Sequence, residues 1–534
     1  MTAGIASGNF GVGSWIERRA RFAPDRAALI TADRSSTYAE LRGRIRRLAN
    51  GLLRLGVARG DRVAWLGPNH PAFLESLFAT GLLGAVLAPV NHRLKAAEIL
   101  AVLEDTEPTV LIQHLADPLP VPSSVRYRVD VAGSLDTALA FEALLAESPG
   151  DAIEEAVGLD DLCLLPHTSG TTGRPREVML THGNVTWNVV NFLTCADFRS
   201  DDVTVAIAPF FRVGGTGVNV LPVLFVGGTV VVPTDPDAEE ILRLIERHRV
   251  TVGFGNPDTL DALAQSELWP DVDLSSIRFV VTGGAPVPER LIRAYLERGV
   301  TLLQGYGLSE AAPLALLLDP ESALVKIGSA GRPPLLIDVR IESAAGVTVG
   351  PGETGQLLVR GPNVMAGYWN RPEATRKVLA SDGWLRTGDA ARMDDDGYVW
   401  IVDRVRDGFT TDGHRVYPGD IERALSGHPA IADAGVVGIQ EQARGEVGVA
   451  FVALMDGGRA TEQEILAFCH QRLPPHQVPA SVTFVERLPR NSVGKLIRNE
   501  LRALASRGPA DGSEQPISQA ISDHPLAGTG ETES

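Results

Sequence analysis

His167-Thr168-Ser169-Gly170-Thr171-Thr172-Gly173-Arg174-Pro175-Arg176 follows a short apolar run, Leu162-Cys163-Leu164-Leu165. The run reads as a strand, so the loop leaves a strand end, where open α/β sheets place their ligands. Its glycines let backbone N–H groups approach oxygens closely. Its hydroxyls donate further hydrogen bonds, and its arginines balance negative charge. Those properties suit a polyphosphate. The segment is not a Walker A loop, because no Gly-Lys-Ser/Thr follows four residues after a glycine. An ordinary Ser/Thr/Gly surface loop has a similar composition, so the choice between the two readings rests on the remainder of the chain.

Outward from this loop, strand and helix patterns alternate. Thr37-Tyr38-Ala39-Glu40 is a capping box, and Leu41, Ile45, Leu48, Leu52 and Leu55 form one apolar helical face behind it. Arg42, Arg44, Arg46 and Arg47 read as the solvated side of that helix. From residue 229 the spacing predicts strands over 229–232, 250–253, 277–282 and 300–303, with helices over 238–248, after Pro257, and over 287–298. Repeated βα units imply mainly parallel sheets covered by helices. Two loops at strand ends, Gly283-Gly284-Ala285-Pro286 and Gln304 to Glu310, then fall on one rim. After about residue 330 the pattern turns strand-rich, and Asp394-Asp395-Asp396-Gly397 reads as a hairpin turn rather than a calcium loop, with Arg392 where a first ligand would stand.

The chain has 534 residues, more than one ordinary domain holds. Its formal net charge of −17 argues against non-specific attraction to nucleic acid or anionic membranes. Cys163, Cys195 and Cys469 are scattered, which favours a reducing, cytoplasmic setting and gives no metal-ligand spacing. No secretory signal stands at residues 1–10. Residues 213–234 carry no charge, but their glycines and Pro222 divide them into short core elements, so no integral membrane span is expected.

Three further segments settle the reading of the loop. They are Gln304-Gly305-Tyr306-Gly307-Leu308-Ser309-Glu310, Trp384-Leu385-Arg386-Thr387-Gly388-Asp389 and Leu488-Pro489-Arg490-Asn491-Ser492-Val493-Gly494-Lys495-Leu496-Ile497-Arg498. With the first loop, in this order and spacing, they resemble the adenylate-forming superfamily of AMP-forming acyl-CoA synthetases, peptide-synthetase adenylation domains and beetle luciferases. Gly328-Ser329-Ala330-Gly331-Arg332-Pro333 and Tyr368-Trp369-Asn370-Arg371-Pro372-Glu373-Ala374-Thr375 resemble the fatty-acyl-CoA synthetase branch.

The resemblance implies an α/β fold. A large N-terminal domain (1–403) of doubly wound sheets with a β-rich subdomain precedes a small mobile α/β domain (404–505) and a disordered tail (506–534). It also implies the reaction: a carboxylic acid, fatty or otherwise apolar, reacts with ATP to an acyl-adenylate, and CoA then takes the acyl group. A carrier-protein pantetheine or another nucleophile of a biosynthetic pathway is the alternative acceptor, and a nucleotide-binding paralogue without turnover is the non-enzymatic alternative. Joining a carboxylate to an α-phosphate demands positioning and preorganised positive charge.

Residue by residue, the resemblance assigns the β- and γ-phosphates to Thr168, Ser169, Gly170, Thr171, Thr172, Gly173 and Arg176. Gly284, Ala285, Pro286, Tyr306 and Gly307 would hold adenine, and Ser309 would donate to a phosphate oxygen. Glu310 would bind Mg²⁺, and Asp389 and Arg404 the ribose. Lys495 would bridge carboxylate and α-phosphate, flanked by Arg490 and Arg498. Arg406 corresponds to the hinge and Gly413 to the thiol path, while Arg212 and Gly214 fall in the acyl pocket. Pocket-lining residues are expected near 188–192, 211–218 and 308–313.

Four positions depart from the family pattern. Arg176 replaces a lysine, and Glu177 replaces a glycine and adds a negative charge beside the phosphate loop. Asp412 replaces another glycine. Arg212 replaces a histidine, so it meets either a second polar or anionic group on the substrate or an internal carboxylate.

Overall fold

Strands Arg62–Leu66, Val86–Val90 and Val110–Gln113 lie side by side in parallel, and nearly all their residues are buried. Runs of Val, Leu and Ile without polar alternation are what a sheet covered on both faces requires. They sit in an eight-stranded sheet that continues through Leu162–Leu164, Val178–Thr181 and Gly367–Tyr368 on one side. The pairing turns antiparallel at Val178–Thr181, the strand that follows the phosphate-loop segment. Helix Pro71–Leu83 is buried from Ala72 to Leu83, which explains why it is apolar on all sides. The computed structural model describes residues 8–115, 119–133, 135, 138–168, 176–455, 457–490 and 496–506.

The capping box forms as its sequence predicts. Thr37 accepts from the Glu40 N–H and Glu40 accepts from the Thr37 N–H, opening helix Tyr38–Arg54. Its arginines are not simply solvated, however. Arg44 reaches Glu75 at 2.5 Å and Glu142 at 2.6 Å, and Arg46 reaches Glu17 at 2.6 Å. Helix Ser14–Phe22 supplies Glu17, and helices Pro71–Leu83 and Phe141–Glu147 supply Glu75 and Glu142, so neighbouring helices cover the polar face.

A second sheet runs in the order Val252–Gly255, Phe279–Gly283, Leu302–Gly307, Leu314–Leu317, with the first three strands parallel. Helices Ala238–His248, Pro257–Ala264 and Glu289–Glu297 contribute Leu242, Leu260 and Leu291 to a core that also takes Val280 and Leu302 from the strands. Truncating such a leucine to alanine costs about 2–5 kcal/mol. A third sheet joins Val203–Val205, Thr229–Val231, Ala27–Ile30 and Ser35–Thr37. The uncharged stretch from Val213 folds as helices Val213–Gly217 and Val220–Val226 followed by strand Thr229–Val231. No helix among the described residues is long and apolar enough to cross a membrane. Asp338–Glu342, Gly355–Arg360, Leu385–Met393 and Val399–Arg404 form the strand-rich sheet, and the Asp394 N–H donates to the Tyr398 carbonyl across the expected hairpin turn.

The chain divides into two compact units, residues up to 387 with 392–400, and 388–391 with residues from 401 on. In the C-terminal unit a long antiparallel pair, Ile431–Glu441 with Gly445–Leu454, is flanked by Phe409–Thr411 and Ser481–Phe484. Helices Pro418–Ser426 and Glu462–His470 pack Ile421, Leu425 and Ile465 against Val436 and Val452. The architecture is mixed α/β, with a large N-terminal part and a small C-terminal one, as the sequence predicts. The three cysteines are free. The tail from 507 lies outside the described residues.

Candidate active site

The two stems of the phosphate-loop segment meet at its base. The Thr168 N–H donates to the Arg176 carbonyl at 2.9 Å, and its hydroxyl donates to the same oxygen at 3.3 Å. Ser169, Gly170, Thr171, Thr172 and Gly173 lie outside the described residues. Arg176 is exposed, and its Cζ stands 5.5 Å from the centroid of the Tyr368 ring. Tyr368 in turn donates its Oη–H to Glu310 Oε1 at 2.7 Å. Burial pushes the Tyr368 phenol up, the Glu310 charge adds to this, and Arg176 opposes it, so the ring keeps its proton. A cation, a phenol and a carboxylate from three separate segments thus form one chain of contacts. The sequence suggested roles for Arg176 and Glu310. Tyr368 was visible only as a branch-typical residue, with no sign that it joins them.

Glu310 sits in the single turn Ser309–Ala311 that follows strand Leu302–Gly307. That turn is pinned from the side. Asn363 donates to the Ala311 and Leu314 carbonyls, and the Met365 N–H donates to the Glu310 carbonyl at 2.9 Å. Strands Phe279–Gly283 and Leu302–Gly307 are parallel neighbours, with Gly283 opposite Gly305. Both strands therefore end on the same rim, as the sequence predicts. A Cβ on Gly283 would stand 2.4 Å from the Gly305 oxygen, and one on Gly307 would stand 2.2 Å from the Pro313 oxygen. Side chains are excluded at both places. Gly284, Ala285 and Pro286 are exposed at the rim, and Tyr306 is half-buried in the adjoining strand.

The three expected pocket segments converge through Asn188, on helix His182–Cys195. Its amide donates to the Gly217 carbonyl at 2.9 Å and accepts at 3.1 Å from the N–H of Leu314, just past the third segment, while a Cβ on Gly217 would stand 2.9 Å from Pro313 Cδ. Gly214 packs toward Phe254, to which an added Cβ would make ordinary contact at 3.6 Å. Arg212 precedes helix Val213–Gly217 and lies beside the Phe211 ring, with Cζ 5.7 Å from its centroid. Arg212 is exposed, and among the described residues no carboxylate stands within ion-pair distance of it. Desolvation, then the nearby Arg93, both lower its pKa.

In the C-terminal unit Asp389 and Arg404 pair at 2.9 Å, which brings the two ribose candidates together. Arg406 lies in the turn Val405–Asp407. Asp412 and Gly413, both at positive φ (51° and 78°), form the two-residue turn between Phe409–Thr411 and His414–Val416. Such a turn needs φ > 0 at both positions, which Asp-Gly supplies. Asp412 also pairs with Arg444 at 2.8 Å. Nothing stands within 4 Å of a Cβ built on Gly413, so its constraint is conformational.

Lys495 lies outside the described residues, and both arginines flanking it belong to the fold. Arg490 pairs with Asp433, and Arg498 is held by Glu422 at 2.5 Å and Asp403 at 3.2 Å. Glu177 also differs from expectation. Its side chain is 1% exposed and faces His167 Nε2 at 3.4 Å instead of solvent.

Two family models match the chain, that of the AMP-binding enzyme over residues 16–369 and that of the AMP-binding enzyme C-terminal domain over residues 420–495. A feruloyl-CoA synthase of Amycolatopsis is 46% identical over 92% of this chain and 99% of its own length. An indoleacetate–CoA ligase of Aromatoleum aromaticum is 38% identical over 92% and 98%. The solved structure of a Mycobacterium tuberculosis fatty acyl CoA synthetase superposes with a TM-score of 0.75 at 32% identity, over 93% of this chain and 98% of that one. The Arg176–Tyr368–Glu310 cluster, the glycine-lined rim and these likenesses agree: the chain belongs to the AMP-binding enzyme family and is an acid–thiol ligase that forms acyl-CoA through an acyl-adenylate.

Proposed function

We propose that this ligase activates an aromatic carboxylic acid rather than a fatty one and transfers it to CoA. The observation that carries this reading is the 46% identity to a feruloyl-CoA synthase across almost both full lengths, against 32% for the fatty acyl CoA synthetase. The indoleacetate–CoA ligase, also a ligase of an aromatic acid, lies between them at 38%. The sequence expectation of a fatty or related apolar acid is narrowed accordingly.

In this reading Arg176, with the loop before it, takes the β- and γ-phosphates. Tyr306 and the rim at Gly284, Ala285 and Pro286 receive adenine, and Asp389 with Arg404 receives the ribose. Glu310 fits Mg²⁺: Tyr368 engages Oε1 and leaves Oε2 for a hard cation that uses one carboxylate beside phosphate oxygens. The bound ion would neutralise phosphate charge. Tyr368 keeps Glu310 and Arg176 in register, so the positive charge is in place before reaction, which is how electrostatic catalysis gains its advantage. Lys495 brings a cation to the reacting carboxylate. A turn of the small domain about Arg406 then withdraws it and brings the Gly413 turn to the thiol path.

Arg212 refines the acid. Its guanidinium is exposed beside the Phe211 ring and has no carboxylate partner among the described residues, which leaves it able to meet a polar or anionic group of the substrate remote from the reacting carboxylate. Glu177 and Asp412, as departures from the acyl-CoA synthetase pattern, are the residues that would speak for a carrier-protein acceptor. Both have partners within the fold, His167 and Arg444, so neither favours it.

ATP–pyrophosphate exchange and CoA-dependent AMP release, measured with ferulic, indoleacetic and palmitic acids, test the reading. The expected result is higher kcat/KM for the aromatic acids, with AMP release requiring CoA. Preference for palmitic acid, or AMP release independent of CoA, would overturn it.

A further inference from the structure

Glu177 is a charged side chain buried at the base of the phosphate-loop segment, where the family pattern has a glycine. A buried carboxylate is costly without neighbours that answer it, and this one has a titratable neighbour on each side. His167 Nε2 faces it at 3.4 Å from directly across the stems, since His167 and Glu177 are bridge partners. The His167 ring is itself fixed, with Nδ1 3.1 Å from the Pro89 carbonyl. On the other side stands Asp105, from helix Ala96–Thr106, whose carboxyl interacts with that of Glu177 and is clamped by Arg371 at 2.8 and 2.9 Å. Burial raises the Asp105 carboxyl and the neighbouring Glu177 adds to that. For Glu177 burial also acts upward, but the bonds to His167 and Asp105 outweigh it.

The backbone of Glu177 completes the arrangement. Its carbonyl accepts the Trp369 N–H at 2.9 Å, one residue from Tyr368, while residue 176 on its other side carries the guanidinium lying against Tyr368. Residue 177 thus joins Arg176 and Tyr368 through the main chain, and its side chain locks that junction to the sheet and to helix Ala96–Thr106. A glycine would retain the main-chain bonds and lose the lock.

We infer that Glu177 is a positioning residue for the adenylation half-reaction, holding Arg176 against Tyr368 and Glu310 through the His167 and Asp105 contacts. This rests on the phosphate role proposed for Arg176. The test uses the full-length enzyme and compares Glu177→Gln, Glu177→Gly, Arg176→Ala and the Glu177→Gln/Arg176→Ala double variant. Three quantities are read: KM for ATP in pyrophosphate exchange, thioester formation from preformed acyl-adenylate, and Tm. Both Glu177 variants are expected to raise KM for ATP about tenfold and leave the thioester step within about twofold, with the double variant little worse than Arg176→Ala, as residues acting through one contact are non-additive. Glu177→Gly, which keeps the family's backbone, guards against simple misfolding. Additive effects in the double variant, or equal losses in both half-reactions, would overturn the inference. If Arg176→Ala itself leaves KM for ATP unchanged, the phosphate role of Arg176 fails instead.

Discussion

Arg212 and Arg498 are both arginines beside proposed chemistry, and the fold treats them differently. Arg498 is 13% exposed and is enclosed by Asp403, Asp407 and Glu422, with a further bond to the Val436 carbonyl. Arg212 is exposed, with an aromatic ring and another arginine nearby but no carboxylate at ion-pair distance among the described residues. Proximity to a motif therefore does not assign a role. An arginine whose charge is answered within the fold supports the fold, and one without such an answer is available to a ligand.

The largest expected effect falls on the paired arginine. Arg498→Ala leaves Asp403 and Glu422 buried without their cation, and such a loss costs about 3–5 kcal/mol. Denaturant unfolding should show this in the C-terminal unit, seen as lost amide protection on Ile431–Glu441, with the N-terminal unit unchanged. A loss below ~1 kcal/mol would remove Arg498 from the structural side of the comparison. Lys495, between two arginines that serve the fold, comes next. Lys495→Ala should lower adenylation by about 10²–10³ and spare thioester formation from preformed acyl-adenylate. Equal losses in both would contradict its role.

The two units should also answer acid in opposite directions. His182, fully buried and accepting the Val12 N–H at Nδ1, is pushed down to about 4 by burial. Its unfolded form titrates near 6.5, so its contribution is present above that pH and is lost as pH falls toward 4, by ~3 kcal/mol. Asp403 is pushed up to about 6, chiefly by burial. Its contribution is full below about pH 4 and is lost as pH rises through 6. Hydrogen exchange between pH 6.5 and 4 should show these two groups weakening the N-terminal unit and strengthening the C-terminal one. His182→Gln should flatten the first trend. An unchanged slope in that variant would rule His182 out as its source.

Local rules made much of this legible in sequence. The Thr37 capping box, the helix from Ala238 to His248, the Asp394–Gly397 turn and the common rim of two loops follow from periodicity, caps and turn residues. Features depending on distant segments were not legible. Arg44 reads as solvated because helical periodicity reports which face avoids the apolar core, not whether another helix covers it. Tyr368 is 58 residues from Glu310, and Glu177 is 72 residues from Asp105. No spacing rule links such pairs, and only the sheet order brings them together.

A further test belongs to the thiol path. Gly413→Leu should spare pyrophosphate exchange and abolish thioester formation, while Gly413→Asn, tolerant of positive φ, should retain more. Normal thioester formation in the leucine variant would place the path elsewhere.

The central claim, that Arg212 answers a group on the substrate, is tested most directly by kcat/KM for aromatic acids with and without a remote anionic or polar group. The measurement compares the native enzyme with Arg212→His, alongside KM for ATP and Tm. The expected result is a preference for the polar acid that falls toward the unsubstituted one in the variant, with ATP affinity and Tm unchanged. An unchanged preference accompanied by a lower Tm would contradict the account and assign Arg212 to the fold.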